Sequence, residues 1–345
     1  MIRRSLSVMT SVVLMLVMAL AAAGGANAAP PMDKAKEKAK HAKVVKYWTP
    51  KRMANAIPRD FVKKNGKFVP AARGGNKGKP PRDPGDGGDG GDESGTTVVK
   101  GASWTAKDEG LFATGKVFFT LGTTNYVCSG SVVADGRSDF STVLTAGHCA
   151  YDETNDRWAR NFMYVPAYDE NRASCPSSDC YVASALVVHQ GYADSGGFNS
   201  QAIKHDWAFA VFWNDMPTGA PDDGQAFGIS FTGPNSGDTR QSFGYPAAGK
   251  YNGRDLVYCL GPVVPDSNYG TWGLECNMTG GSSGGPWISR YGTSGAELNA
   301  VNSYKYNGGQ LKNYMFGPDF NGKTKRTFDV ALGATNVNKE ATGSA

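Results

Sequence analysis

The stretch MTGGSSGGPW, Met278 to Trp287, sets two serines side by side in a run of glycines. As a bare string it reads as a linker or a turn. Its setting argues otherwise, because it lies between the strand-like runs GLECNM and PWISR, inside the folded part of the chain, where a floppy linker has no purpose. Glycines around a serine allow positive φ and close backbone approach, so that consecutive N–H groups can converge on an anion. A serine hydroxyl is a poor nucleophile until a base takes its proton. The reading therefore requires a histidine and a carboxylate elsewhere in the chain.

There are four histidines. His41 lies in a Lys-rich N-terminal region and reads as a solvated charge. His189, in LVVHQGY, suits a structural or surface role. His205, in KHDWAFA, neighbours Asp206 and should point to the opposite face of an extended strand. His148, in LTAGHC, ends an apolar strand directly before a cysteine. Among the carboxylates, Asp194 and Asp215 are rivals to Asp206, which is preferred because the following WAFAVF reads as a buried strand that would hold it still.

The chain around these residues is β-rich. Short apolar or alternating runs from KVFFTLG to DWAFAVFW form one series, and QSFGYP to AELNAVNSYKY a second, separated by the Gly-, Pro- and Asp-rich loop NDMPTGAPDDGQAFG. Two groups of evenly spaced strands fit two packed β-barrels or a sandwich. Helix is scarce, and only Lys323 to Ala334 reads as a short terminal one.

The N-terminus has another character. Arg3 and Arg4, an apolar run from Val12 to Ala23 and Ala26-Asn27-Ala28 read as a secretory signal over residues 1–28, too short to span a bilayer. The expected location is therefore secreted and extracellular, with no membrane attachment after signal removal. From Pro30 to Gly95 there are 16 Lys and Arg against 8 Asp and Glu, whereas from Thr96 onward there are 18 against 23. The basic balance thus belongs to a removable piece, and it gives no reason to expect a nucleic-acid partner. Residues 29–100 are read as a basic pro-segment and linker, drawn electrostatically to the acidic remainder and later cut off. Within it VVKYWTPKRMANAIP is the part expected to dock.

Export also changes how the six cysteines are read, since thiols in an oxidising compartment pair. Spacing suggests Cys128 with Cys149, Cys175 with Cys180 and Cys259 with Cys276. No CxxC is present, so a metal site is not expected, and YDETNDR reads as a solvated acidic turn.

In that order, LTAGHC, DWAFAVF and GGSSGGP resemble the three active-site motifs of the chymotrypsin-like serine proteases, especially secreted bacterial members of the trypsin and glutamyl-endopeptidase type. FGYPAAG adds a weaker match, and the resemblance covers roughly Gly110 to Val330. It implies an all-β fold of two six-stranded antiparallel β-barrels with a short C-terminal helix, the first over 101–220 and the second over 221–345. It also implies His148 as general base, Asp206 as the carboxylate that fixes its tautomer, Ser283 as nucleophile, and the N–H groups of Gly281 and Ser283 as oxyanion hole. No cofactor is required. The expected partners are protein or peptide substrates and the chain's own pro-segment, and the expected state is a monomer. Cys128 and Cys149 match the family's disulfide beside the histidine.

Two departures stand out. Ser282 occupies the place where vertebrate trypsins carry an activation aspartate, which points to release of a covering pro-segment instead. Asn277 stands where trypsin-like enzymes hold their Lys/Arg-selecting aspartate, and LNAVNSYKY lacks the histidine of the glutamate-specific relatives. With Asn277, Met278 and Ser303 as the expected substrate pocket, elimination leads to neutral or apolar residues at the cleaved bond. The Asn277-Met278-Thr279 glycosylation pattern is read as chance, because a glycan there would obstruct the site. The alternative function is a catalytically silent member of the fold that binds protein or polysaccharide.

Overall fold

The computed structural model describes residues 33–71, 98–168, 180–213, 226–334 and 340–342. The expected signal lies outside them, as do Cys175, Asp215 and most of the Gly/Pro/Asp-rich linker.

Two large antiparallel sheets carry the architecture. The first is built from Thr114–Leu121, Thr124–Val133, Phe140–Thr145, Arg160–Pro166, Ala185–His189 and Ala208–Trp213. The second is built from Thr239–Gly244, Val257–Asp266, Thr271–Glu275, Pro286–Ser289, Glu297–Val301 and Tyr314–Pro318. Each curls into a barrel with aliphatic and aromatic side chains inside, and Phe119, Val143 and Phe212 of the first are all almost fully buried. The helix Gly322–Gly333 closes the chain in a capping box on Asn321. Its Phe328 ring packs against Phe209 of the first barrel at 5.2 Å, and Trp207 donates to the Thr327 hydroxyl at 3.1 Å.

The boundary drawn from sequence is crossed at both ends. Strand Val99–Ser103 precedes the first barrel in the chain but pairs with Val257–Asp266 of the second. The C-terminal helix follows the second barrel but packs on the first. Cys128–Cys149 and Cys259–Cys276 are bridged, one in each barrel.

The basic N-terminal region departs most from expectation. It contains the 14-residue helix Lys34–Tyr47 and the short helix Pro50–Asn55, capped by the side chains of Asp33 and Thr49. Both helices escaped the sequence reading. Val44, Trp48 and Met53 are buried, all inside the stretch expected to dock, and the Trp48 indole donates to the Asn161 carbonyl at 2.7 Å. Docking continues through the last residues of that stretch and then beyond it. Ile57–Pro58 adds in parallel to Thr124–Val133 of the first sheet. Phe61–Lys64 adds in parallel to Tyr304–Tyr306 of the second and then turns back through Asn65-Gly66 to pair with Lys67–Pro70. Attraction between opposite charges is present, as Arg59 lies 3.4 Å from Glu153 and 3.7 Å from Asp152, but apolar burial accompanies it throughout.

Candidate active site

Strand pairing explains how residues 58 positions apart meet. Phe140–Thr145 runs antiparallel to Ala208–Trp213 with Thr145 opposite Ala208. His148 lies just beyond the end of the first strand and Asp206 just before the start of the second, so both emerge at the same rim. The His148 backbone N–H donates to Asp206 Oδ1 at 2.8 Å, and its Nδ1 lies 2.8 Å from Asp206 Oδ2. The carboxylate thus fixes both the position of the residue and the orientation of its ring. With Nδ1 held as the donor, the lone pair is on Nε2. That atom is buried and has no hydrogen-bond partner among the described residues.

A third group completes this arrangement. The Ser303 hydroxyl donates to Asp206 Oδ2 at 2.5 Å, and all three side chains are almost fully buried. A buried carboxylate needs such donors, because an unsatisfied charge in a dry site is costly.

Ser283 sits in a turn that glycine makes possible. Gly281 and Gly284 adopt φ of +98° and +81°, in the region where a side chain is strained. A Cβ on Gly281 would come within 2.8 Å of the Tyr245 carbonyl. The Ser283 carbonyl accepts from the Ser129 N–H at 2.7 Å, which seats the turn beside the strand carrying Cys128 and, through its bridge to Cys149, beside His148. The N–H groups of Gly281 and Ser283 make no backbone hydrogen bond among the described residues. Two free donors on one tight turn form a place for an anionic oxygen.

Asn302, which the sequence reading did not single out, fastens this turn. Its amide donates to the Phe243 and Ser282 carbonyls at 3.0 and 3.1 Å, and its Oδ1 accepts from Ser242 and from the Trp287 indole at 2.9 and 2.7 Å. Ser282 donates locally to the Thr279 carbonyl at 2.8 Å, a neutral bond where an activation ion pair would otherwise stand.

The three residues expected to form the substrate pocket each have partners or packing of their own. The Asn277 side chain accepts from the Tyr251 hydroxyl beside Gly101, Met278 is fully buried among Tyr251, Val257 and Cys259, and Ser303 is engaged by Asp206. Among the remaining histidines, His189 and His205 stack on each other at 4.4 Å beside Trp207, and burial pushes His189 down to about 4. His41 is not a solvated charge: its Nε2 lies 2.9 Å from the Cys180 carbonyl, and burial lowers its pKa. Asp194 accepts from Gln190 at 2.6 Å on the surface. The cluster of Cys128, Cys149 and His148 suits no metal, because both sulfurs are committed to the disulfide.

The site is covered by the chain itself. Phe61 of the basic segment lies edge-on to the His148 ring at 5.5 Å and stacks on Phe198 at 3.9 Å. The preceding Asp60 carboxylate lies against Gly280, close enough that a Cβ there would fall on it. This carboxylate accepts no hydrogen bond among the described residues. Burial raises it to about 6, against the opposing pull of His148 and Lys305.

The sequence matches no protein-family model and no curated protein. Among solved structures, it is similar to a thermostable serine protease from an extremophilic microorganism, at 35% identity over 66% of this chain and 100% of that one, with a TM-score of 0.57. It is similar to the protease Anisep from Arthrobacter nicotinovorans at 36% identity over 65% of this chain and 97% of that one, with a TM-score of 0.55. A Glu endopeptidase shares the fold at 15% identity over 68% of this chain and 97% of that one, with a TM-score of 0.51.

Proposed function

The chain belongs to the chymotrypsin-like serine protease family, and from that premise we propose that it is the precursor of a secreted serine endopeptidase whose reaction runs through an ester on Ser283. The observation that carries this reading is the buried Ser303, Asp206 and His148 chain, which leaves Nε2 of the His148 imidazole without a hydrogen-bond partner among the described residues.

In this reading the Ser283 hydroxyl adds to the peptide carbonyl carbon and its proton passes to His148 Nε2. Asp206 stabilises the imidazolium that forms and does not itself take the proton. The carbonyl oxygen, now anionic, is held by the N–H groups of Gly281 and Ser283; removing one such donor typically costs about 2.7 to 4 kcal/mol of transition-state stabilisation. Collapse breaks the C–N bond, and the amine leaves with the proton from Nε2. Water then attacks the ester by the same route, releasing the acid and restoring the serine.

The basic segment is the first partner of this site. With Phe61 against His148 and Asp60 against Gly280, it occupies the space a substrate chain needs, so the uncut chain is a zymogen. Strand Val99–Ser103 belongs to the second sheet, and a cut that preserves it falls before Val99. The mature protein acts extracellularly as a monomer on protein or peptide chains.

A serine-directed fluorophosphonate tests the reading. Matured protein should label at Ser283 alone and hydrolyse casein, and Ser283→Ala should do neither. Casein hydrolysis surviving in that variant would overturn the mechanism.

A further inference from the structure

Just after Ser303 the chain forms the strand Tyr304–Tyr306, whose side chains alternate between two faces. Tyr304 and Tyr306 both donate to Asp266 Oδ2, at 2.9 and 2.6 Å, which holds the strand in place from one side. Lys305 projects from the other. Its ammonium donates to the carbonyl of Cys276, the residue that opens the segment leading to Ser283. Lys305 therefore joins the 276–283 segment to the strand Tyr304–Tyr306, on either side of the proposed cleft.

A neutral carbonyl is poor compensation for a half-buried ammonium. Among the described residues Lys305 has no carboxylate within ion-pair distance, and burial lowers it to about 8, opposed by Asp60. The carboxylate that opposes this lowering, Asp60, comes from the covering segment. Asp60 reaches the site because Phe61–Lys64 lies on Tyr304–Tyr306 with Phe61 opposite Tyr304 and Val62 opposite Lys305. Its carboxylate rests on Gly280, next to the proposed oxyanion donor Gly281. Removal of the segment takes this carboxylate away and leaves the cation facing the cleft.

We propose that Lys305 is the specificity-determining residue of this cleft, selecting peptides with a glutamate or aspartate at the acyl side of the cleaved bond, and that Asp60 stands in for that side chain in the uncut chain. The proposal rests on the protease reading above and replaces the neutral or apolar preference reached by elimination. The sequence reading sought an aspartate or a histidine as the pocket's charged group, and Lys305 is neither. An acidic side chain gains a charge-assisted contact with an ammonium already held by Cys276. A lysine or arginine substrate meets repulsion instead.

The test uses the full chain after maturation, with active sites counted by fluorophosphonate, on peptide p-nitroanilides that differ only in Glu, Gln, Leu or Lys at the acyl residue. At about pH 7, kcat/KM for Glu should exceed that for Gln by at least about tenfold. Lys305→Gln keeps an amide donor for the Cys276 carbonyl without the charge and should bring the ratio close to one, whereas Lys305→Arg should retain the preference. Equal rates for Glu and Gln in the unmodified protein, or a preference that survives Lys305→Gln, overturns the proposal. If Ser283 labels and the ratio is near one, only this inference falls. If Ser283 fails to label and no peptide is cut, the protease reading falls and takes this inference with it.

Discussion

Phe61 and Phe198 stack with ring centroids 3.9 Å apart and nearly parallel planes, and each stands edge-on to the imidazole of His148 at 5.5 Å. One ring belongs to the covering segment and the other to the first barrel, so the histidine is enclosed by an aromatic pair that exists only while the segment is docked. The first prediction concerns how that enclosure is anchored.

Trp48 is fully buried and donates to Asn161. Loss of such a side chain typically costs about 3 to 5 kcal/mol, and here the cost falls on docking. Trp48→Ala in the uncut chain should therefore react with fluorophosphonate at least about a hundredfold faster than the unmodified precursor. Matured protein from the two should react alike.

Ser303 holds Asp206 without touching the reacting atoms, which makes it a positioning residue. Hydrogen bonds to charged groups contribute about 1.5 to 3 kcal/mol. Ser303→Ala should lower kcat by about tenfold to a hundredfold with little change in KM. The pH profile should shift as well, because a carboxylate with one donor fewer stabilises the imidazolium differently, whereas Ser303→Thr should restore part of the rate.

Asp60 gives the precursor a pH dependence with a definite sign. Its carboxyl is raised from an ordinary 3.8 to about 6 when docked, so the docked segment holds a proton more tightly than the free one. The proton-linked contribution is fully present below the ordinary value and is lost as pH rises through about 6. The charged groups facing it are His148 and Lys305. The labelling rate of uncut chain, divided by that of matured protein, should rise between about pH 4 and pH 7. Asp60→Asn should flatten the ratio, and a ratio that falls with pH would refute the assignment.

Gly281 adopts φ +98° and has the Tyr245 carbonyl 2.8 Å from where a Cβ would stand. Gly281→Ala should displace the turn and cost at least about a hundredfold in kcat. Asn302→Ala, which releases the turn from behind, should lower both activity and melting temperature.

That His148 and Asp206 meet was legible because each sits in a short motif at the end of an apolar strand, and antiparallel pairing of such strands brings their ends together. The chance-like string around Ser283 became informative only beside those motifs. Other residues were hidden for physical reasons. Asn302 acts through bonds to backbone carbonyls far away in sequence, which leave no local pattern. Lys305 looks like any strand lysine until its ammonium is seen to cross the cleft. The covering hairpin did leave a signal, since Asn65-Gly66 lies between the apolar pairs Phe61-Val62 and Phe68-Val69 and adopts φ of +51° and +77°. Its high lysine content kept it out of the stretch expected to dock.

The segment that adds Ile57–Pro58 to one sheet and Phe61–Lys64 to the other is tethered to the domain it covers. While tethered, it competes with substrate at an effective concentration on the order of millimolar, whatever the dilution of the protein. A single cut in the connecting stretch breaks none of these contacts, yet it turns the segment into an ordinary ligand whose occupancy falls as it diffuses away. If the chain is the exported zymogen proposed above, dilution would then complete activation, and crowded precursor would stay shut even when some molecules have been cut.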